Sequence, residues 1–288
     1  MDEQTALALV GDRLPAAGDD CAVLDGQVVT TDMLHERTDF PAGTTRYTAV
    51  WRAVGASLSD VAAMGADATA AVAVYAAPAF DEGELTAFLD GAAAVCASVG
   101  AEYVGGDLDS HTEFTVATTA LGKTDSPVLR SGATLGDALC VTGTLGRTGA
   151  ALRLFDRGEA EAANDLFRFE PRVAAGRALR DYATAMLDSS DGLARSVQQL
   201  CGASDCGAAL TDPLPVDDRV EELADGPEDR RELGVFLGED FELVCTVPEN
   251  DLDAARAATP CPLHRVGTVT DGDVTLNGDP LPDRGYSH

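Results

Sequence analysis

An apolar run that ends in a pair of carboxylates constrains the fold more than any other stretch of the chain. Residues 185–187 are apolar and lead into Asp188, and Asp191 and a glycine follow before a new helical pattern begins. This order predicts a strand, a tight turn and the start of a helix. Open α/β folds bind ligands beyond the carboxyl ends of strands, so the turn is a candidate site. A structural alternative stays open, because Asp188 or Ser189 could simply cap the helix.

The same layout recurs elsewhere: a predicted strand or helix ends, and one or two carboxylates follow. These positions are Asp19-Asp20, Asp32, Asp60, Asp107 and Glu239-Asp240. Asp60 lies near the end of a predicted helix, where an anion opposes the helix dipole, so stability does not explain it. Hard cations such as Mg²⁺ take oxygen ligands and usually also contact substrate phosphates, and Thr30, Thr31 and Ser190 could add neutral oxygens. The turns together favour a site for several metal ions and a phosphate compound, although an acid-rich chain also places Asp in turns by chance.

The charge balance narrows the possible partners. Acidic residues outnumber basic ones by 49 to 20, which gives a formal net charge of −29. Such a surface disfavours nucleic acids and anionic membranes. The acids are spread over the whole chain, which favours adaptation to a concentrated-salt cytoplasm over an acidic patch for a basic partner. The N-terminus lacks a signal-peptide pattern and no apolar run is long enough to span a bilayer, so we expect a cytoplasmic protein.

Common nucleotide and metal motifs are missing from the sequence. A Walker A loop around Lys123 would need glycine at position 117, which is Ala. The glycine turn at 143–149 is not G-x-G-x-x-G, and could be a plain turn or hold a phosphate through backbone N–H groups. The 7 cysteines include no C-x-x-C pair, which argues against a zinc site or a disulfide framework. No histidine falls in an acidic turn, so no nucleophile–base pair stands out.

The pattern predicts an α/β protein with two domains. Before residue 122 the expected order is β-β-α-β-α-β-β, and the helix from Thr45 to Met64 follows from bulky apolar residues every three or four positions. The second strand is expected to end at Asp32, and a short strand at 102–104 to end before Gly105-Gly106-Asp107. A connector near 122–133 separates a domain at 1–130 from one at 131–288, which also mixes strands and helices.

The acidic turns and their flanking residues, taken together, resemble the thiamine-monophosphate kinase family. The matching motifs span nearly the whole chain in the family's order: Gly18-Asp19-Asp20-Cys21-Ala22-Val23, Thr30-Thr31-Asp32-Met33-Leu34, Leu58-Ser59-Asp60-Val61-Ala62-Ala63-Met64-Gly65-Ala66, Gly105-Gly106-Asp107, Arg130-Ser131-Gly132-Ala133, Gly136-Asp137, Val141-Thr142-Gly143-Thr144-Leu145-Gly146, Asp188-Ser189-Ser190-Asp191-Gly192-Leu193 and Gly238-Glu239-Asp240-Phe241-Glu242-Leu243. The resemblance implies ATP-dependent phosphorylation of thiamine monophosphate to thiamine diphosphate, several Mg²⁺ ions and no P-loop. It also implies the two-domain aminoimidazole ribonucleotide synthetase-like fold, with a homodimer formed by pairing of the N-terminal sheets.

The resemblance also implies roles for individual residues. Positions that match metal ligands are Asp20, Thr30, Thr31, Asp32, Asp60, Asp107, Asp188 and Asp191. Positions that match ATP contacts are Gly106, Asp107, Arg130 and Ser190, and positions on the thiamine side are Glu239 and Tyr286. The family often has His where this chain has Asp39, so a possible donor has become an anion that could approach the cationic thiazolium but would repel phosphate. The N-terminal domain would carry the metal and ATP site and the dimer contact, and the C-terminal domain would complete the phosphate and thiamine site.

Metal-assisted transfer fits these residue types. The attacking group is a phosphate oxygen that is already anionic, so no general base is needed, and the carboxylates serve as metal ligands. Two alternatives remain: another ATP-using enzyme of the same superfamily, such as one like aminoimidazole ribonucleotide synthetase, and a non-catalytic protein whose acidic turns bind cations for stability. The selenophosphate synthetases and the hydrogenase-maturation relative match less well, because this chain lacks their reactive cysteine positions.

Overall fold

The computed structural model describes residues 5, 9–11, 13, 14 and 16–286, and the chain forms two sheets covered by helices. The first part contains β1 (Ala22–Leu24), β2 (Gln27–His35), α1 (Glu36–Asp39), α2 (Arg46–Ala63), β3 (Asp67–Ala77), α3 (Glu82–Ser98), β4 (Glu102–Ser110) and β5 (Thr115–Lys123). The expected β-β-α-β-α-β-β order is therefore confirmed, with the short α1 added. The sequence also favours a short helix at residues 5–10, and part of that range lies outside the described residues.

The second part builds the other sheet. Its elements are β6 (Ala138–Thr142), α4 (Arg147–Asp156), α5 (Ala160–Phe167), α6 (Val173–Leu179), β7 (Ala185–Asp188), α7 (Leu193–Ser204), β8 (Gly207–Leu210), α8 (Asp218–Leu223), α9 (Pro227–Arg231), a π-helix (Glu232–Phe236), β9 (Leu243–Val247), a 3-10 turn (Glu249–Asp251), α10 (Leu252–Ala258), β10 (Leu263–Thr270), β11 (Thr275–Leu276) and β12 (Asp279–Pro280). The strand–turn–helix predicted around Asp188 is the step from β7 to α7.

Each sheet mixes strand directions. The first has the order β1-β2-β5-β3-β4, in which β3 and β4 are parallel and the other pairs are antiparallel. The second has the order β12-β11-β8-β10-β6-β9-β7, and only its β11–β8 pair is parallel. The α/β class predicted from the sequence is confirmed.

Two predicted strand ends are wrong. Strand β2 continues past Asp32 to His35, because its pairing with β5 extends to His35 opposite Thr115. Strand β4 continues through Asp107 to Ser110, because its parallel pairing with β3 also continues. Asp32 and Asp107 therefore lie within strands and not in turns after them.

Helix α2 joins the two sheets. Its apolar face is buried, with Val54, Leu58 and Val61 fully inaccessible to solvent, as the three-to-four periodicity predicts. On another side, the Trp51 indole N–H donates to the Phe169 carbonyl at 2.6 Å. Because α2 contacts both parts of the chain, residues along it can act on both. None of the described helices combines the length and the apolar character that a membrane crossing requires.

Candidate active site

Three carboxylates from distant parts of the chain meet at one point. Asp20 precedes β1, Asp60 lies in the last turns of α2, and Asp188 ends β7, yet one oxygen of each lies within 4.8 Å of the others. Asp188 Oδ2 is buried and receives no hydrogen bond from the described residues. A buried carboxylate oxygen without a donor, beside two more carboxylates, fits a hard divalent cation.

The electrostatics of this cluster agree with a cation site. Burial, and after it the neighbouring carboxylates, raise the pKa of Asp60 well above its usual range. Burial, followed by the charge of Asp20, likewise raises the pKa of Asp188. Asp60 and Asp188 are therefore harder to ionise than free carboxyl groups, and a bound cation would relieve the repulsion within the cluster.

Arg130 provides the positive charge beside the cluster. Its Nη2 donates to Asp20 Oδ1 at 2.8 Å, and its Nε donates to Asp20 Oδ2 at 3.3 Å. Its backbone N–H donates to Asp19 Oδ1 at 2.7 Å, which ties the segment between the sheets to the turn before β1. The side chain keeps about a quarter of its surface exposed, at 26%, so it can still reach a ligand outside the pair.

Strand β2 sends alternate side chains toward the cluster. Thr30 Oγ1 donates to Asp60 Oδ2 at 2.5 Å, and Asp32 Oδ2 accepts from Ser57 Oγ at 2.5 Å, so both side chains face α2. Thr31 lies between them on the other face, is exposed, and donates to the Thr118 carbonyl at 2.7 Å. Alternation along the strand thus brings Thr30 and Asp32 to the site and turns Thr31 away from it.

Gly106 and Asp107 lie at the far edge of the first sheet. One row of the sheet runs from Asp32 through Thr118 and Ala73 to Gly106. Three strand spacings of about 4.8 Å place β4 roughly 14 Å from β2. The exposed Asp107 side chain is therefore not brought to the three-carboxylate cluster within one chain.

The turn after β7 is held by the loop before β9. Glu239 N–H donates to the Ser190 carbonyl at 2.6 Å, Phe241 N–H donates to the Ser189 carbonyl, and Ser189 N–H donates to the Glu242 carbonyl. Asp191 lies outside the three-carboxylate cluster, and its Oδ2 accepts from Gln199 Nε2 at 3.4 Å. The two acidic segments that the sequence places some 50 residues apart therefore form one unit.

A cavity opens between this unit and β2. Its lining includes Asp32, Arg52, Ala56, Ser190, Glu239 and Phe241. The apolar and aromatic side chains supply a surface for an organic ring, and the acidic groups suit a cationic one. Predicted ATP-side and thiamine-side residues are thus adjacent in space.

Asp39 and Tyr286 lie close to each other. Asp39 is buried and its Oδ2 accepts from His35 N–H at 2.6 Å and from Thr38 Oγ1 at 2.8 Å, while the Tyr286 hydroxyl lies 3.5 Å from Oδ1. Burial, followed by the charge of Glu239, raises the pKa of Tyr286 to about 12. The tail is anchored because Tyr286 N–H donates to the Asp191 carbonyl at 3.0 Å.

The sequence indicated Asp240 as part of an acidic turn, but the structural contacts of Asp240 and Glu242 were not predicted from it. Asp240 is buried and accepts from Gly146 N–H at 2.6 Å and Thr148 N–H at 3.0 Å, at the start of α4. Burial raises the pKa of Asp240 to about 7, although the hydrogen bonds from the two N–H groups act to lower it. Glu242 binds Arg172 through both oxygens, at 2.6 and 2.8 Å. Arg52 was not predicted either, and the available signal for it was a basic residue in the middle of the apolar pattern of α2.

Comparison with known proteins agrees with this geometry. The family described as "AIR synthase related protein, N-terminal domain" matches residues 18–124, and the corresponding C-terminal domain family matches residues 134–278. A thiamine-monophosphate kinase from Halobacterium salinarum is 60% identical over 292 residues, which cover 100% of both chains. The organism of this relative is a halophile, in agreement with the salt adaptation predicted from the acidic composition. A thiamine-monophosphate kinase from Escherichia coli K12 is 32% identical over 94% of this chain and 90% of the relative.

Solved structures give the same result. The thiamine-monophosphate kinase from Stenotrophomonas maltophilia is 32% identical with a TM-score of 0.82, over 96% of this chain and 94% of the other. AaThiL complexed with AMPPCP and TMP is 25% identical with a TM-score of 0.91, over 100% and 97%. Because both domain families and full-length relatives match, the chain belongs to the thiamine-monophosphate kinase family of the AIR synthase related proteins.

Proposed function

We propose that this chain transfers the γ-phosphoryl group of ATP to thiamine monophosphate, which yields thiamine diphosphate and ADP. Family membership supports this reaction, since the AaThiL relative is complexed with an ATP analogue and TMP. The observation that carries the proposal is the meeting of Asp20, Asp60 and Asp188 beside the turn that contains Ser190.

The three carboxylates would hold Mg²⁺. When bound, Mg²⁺ supplies positive charge that allows two phosphate groups to approach each other. Thr30 keeps Asp60 oriented through its 2.5 Å hydrogen bond, and Ser57 does the same for Asp32. The attacking phosphate oxygen is anionic near neutral pH, so the residues of the site bind and orient and no side chain removes a proton. Arg130 and Ser190 would contact ATP from the cluster side.

A second copy of the chain would add metal ligands on the other face of β2. Asp107 and Gly106 lie about 14 Å from β2 within one chain, on an exposed edge strand. Val104 and Leu108 of that strand are 58% and 51% exposed, which suits pairing with another sheet. In the proposed homodimer, β4 of one copy would bring Asp107 toward the exposed Thr31 of the other. Asp191 would bind a further metal ion near its own turn.

Glu239, Tyr286 and Asp39 would surround the thiamine part. A cationic thiazolium is attracted by carboxylates and by aromatic faces, and the cavity beside Glu239 and Phe241 offers both. Asp39 has one oxygen occupied by His35 and Thr38, so its part would be to orient Tyr286 through the other. We retain residues 1–130 and 131–288 as the proposed domains, and the cytoplasm as the compartment that supplies ATP.

The decisive experiment is formation of thiamine diphosphate from ATP and thiamine monophosphate. It is carried out with Mg²⁺ and molar KCl and compared with a sample without Mg²⁺ and with one that contains thiamine in place of the monophosphate. Metal-dependent product from the monophosphate alone supports the proposal. Folded protein that makes no product would refute the substrate assignment, and metal-dependent melting without a nucleotide-induced shift would indicate a cation-binding protein instead.

A further inference from the structure

A buried guanidinium lies beside Glu239, at the cavity proposed for the thiamine part of the substrate. Arg52 is in the middle of α2 and only 3% of it is exposed. Arginine is seldom buried this deeply without a specific set of partners. Asp60 follows eight residues later in the same helix, about 12 Å along its axis. Arg52 and the Asp60 carboxylate of the cluster are thus carried on one helix.

The first set of Arg52 contacts holds the guanidinium in place. Its plane lies over the Phe167 ring, with Cζ 3.7 Å from the ring centroid. Its Nη1 donates to the Phe167 carbonyl at 2.7 Å and lies 3.3 Å from Thr148 Oγ1. These contacts come from α5 and α4. The guanidinium is therefore positioned by groups outside the loop before β9 that carries Glu239.

The second set of contacts acts on Glu239. Arg52 Nη2 donates to Glu239 Oε2 at 2.9 Å and to its backbone carbonyl at 3.3 Å. Thr148 Oγ1 donates to the same carbonyl at 2.7 Å. Both the side chain and the backbone of Glu239 are therefore held by groups anchored outside its loop.

The loop needs such external support. Glu239 and Phe241 have φ values of 58° and 54°, in the left-handed region that residues other than glycine seldom adopt. A backbone of this kind persists only where the surrounding structure holds it. In this conformation Glu239 and Phe241 both line the cavity.

We propose that Arg52 positions thiamine monophosphate indirectly: Arg52 holds the Glu239 carboxylate in the cavity, and Glu239 faces the substrate. The inference rests on the proposed function, in which Glu239 faces the thiamine part. A buried ion pair adds little net stability after desolvation, so the main effect of this one is on geometry. Lysine cannot replace it, because an ammonium lacks the planar fork that reaches Phe167 and Glu239 together.

The effect is expected to be specific for one substrate. The Ser190 turn on the ATP side is also held by the hydrogen bonds from Phe241 to Ser189 and from Ser189 to Glu242, which do not involve Arg52. Loss of the Arg52 contact should therefore loosen Glu239 and leave the nucleotide side in place.

The test compares R52K with R46K in the full-length enzyme. Arg46 is a matched control: it lies on the same helix, its Cζ is 4.0 Å from the Phe114 ring centroid, and it pairs with Glu36 at 2.8 Å, away from the cavity. Steady-state kinetics give KM for each substrate, calorimetry gives the Kd of thiamine monophosphate, and melting reports folding. We expect R52K to raise both KM and Kd for thiamine monophosphate about tenfold and to change KM for ATP less than about twofold. R46K should change neither KM.

A double-mutant cycle with E239Q tests the route of the effect. If Arg52 acts through Glu239, R52K in the E239Q background should raise KM no further. Equal changes for both substrates, an unchanged KM for thiamine monophosphate, or multiplicative effects with E239Q would each overturn the inference. If the wild-type protein is active and R52K matches it, only the positioning role fails. A folded wild type without activity would refute the proposed function and this inference with it.

Discussion

Replacement of Asp60 by Asn should stabilise the metal-free protein while it abolishes turnover. Asn has nearly the same shape as Asp, and its carbonyl oxygen can still accept the hydrogen bond from Thr30. The substitution removes one charge from a group of three whose oxygens lie within 4.8 Å. The change in the free energy of unfolding therefore reports the charge repulsion within the site, because the packing stays nearly the same.

The size of the effect follows from the geometry. Two unit charges 4.8 Å apart repel by about 3 kcal/mol at an effective dielectric constant near 20. Arg130 offsets the charge of Asp20, so Asp32, followed by Asp188, is the main source of repulsion on Asp60. Asp188, whose pKa burial raises to about 7, is partly protonated near neutral pH and relieves part of this repulsion. We therefore expect a gain of about 1–3 kcal/mol in the free energy of unfolding, or a Tm rise of roughly 2–5 °C for a chain of 288 residues.

The gain in the free energy of unfolding of the Asn variant should also increase with pH. Because burial and the neighbouring carboxylates raise the pKa of Asp60, the folded wild type holds a proton that the unfolded chain releases. The stability linked to this proton is present at low pH and is lost as pH rises through the raised pKa. The advantage of the Asn variant over the wild type should therefore grow as the solution becomes more alkaline.

The assay is thermal melting in molar KCl, with a chelator or with Mg²⁺, combined with thiamine diphosphate formation. Wild type should gain more stability from Mg²⁺ than the variant, because the variant lacks one ligand. Asp253→Asn is the control, since that side chain is 100% exposed, and it should change neither property. A variant that melts below wild type in chelator, or that turns over at a near-normal rate with ordinary Mg²⁺, would refute the reasoning.

Three further predictions concern the stability of the fold around the site and away from it. The stability advantage of wild type over Asp240→Asn should fall by up to about 4 kcal/mol between pH 4 and 7, because burial raises the pKa of Asp240 to about 7 and its proton-linked stability is lost as pH rises. Urea unfolding across that range measures it, and a constant difference would contradict it. Gly106→Ala should lower stability by about 2 kcal/mol or more, since a Cβ there would lie 1.7 Å from the Ala73 carbonyl oxygen. Gly202→Ala, in open space within α7, should instead raise it by up to about 1 kcal/mol in the same melts.

Much of the fold could be predicted because its signals are local. The helix from residue 45 to 64 followed from apolar periodicity and is observed as Arg46–Ala63. The turn after residue 187 followed from an apolar run that ends in Asp188. Asp60 lies near the C-terminal end of its helix, where its charge opposes the helix dipole, and this position predicted a functional role. The prediction agrees with the structure, because the Asp60 carboxylate belongs to the three-carboxylate cluster.

The strand ends were missed because pairing decides where a strand stops. Nothing next to Asp32 or Asp107 in the sequence indicates that β5 and β3 continue alongside them. The apparent turn at Gly105-Gly106 is a strand whose glycine lets β4 approach β3 closely. Local composition favours a turn there, and the tertiary hydrogen bonds override it.

The sequence alone determined the chemistry that is possible here: carboxylate ligands, hydroxyls beside them, a family of motifs and an acidic surface. Only the tertiary structure decided which of those groups meet. It gathered Asp20, Asp60 and Asp188, turned Thr31 away, and left Asp107 at a distant edge. It also buried Arg52 against the loop of Glu239. The physical reason is that residue type fixes charge and donor chemistry, whereas distances between remote segments depend on how sheets and helices pack.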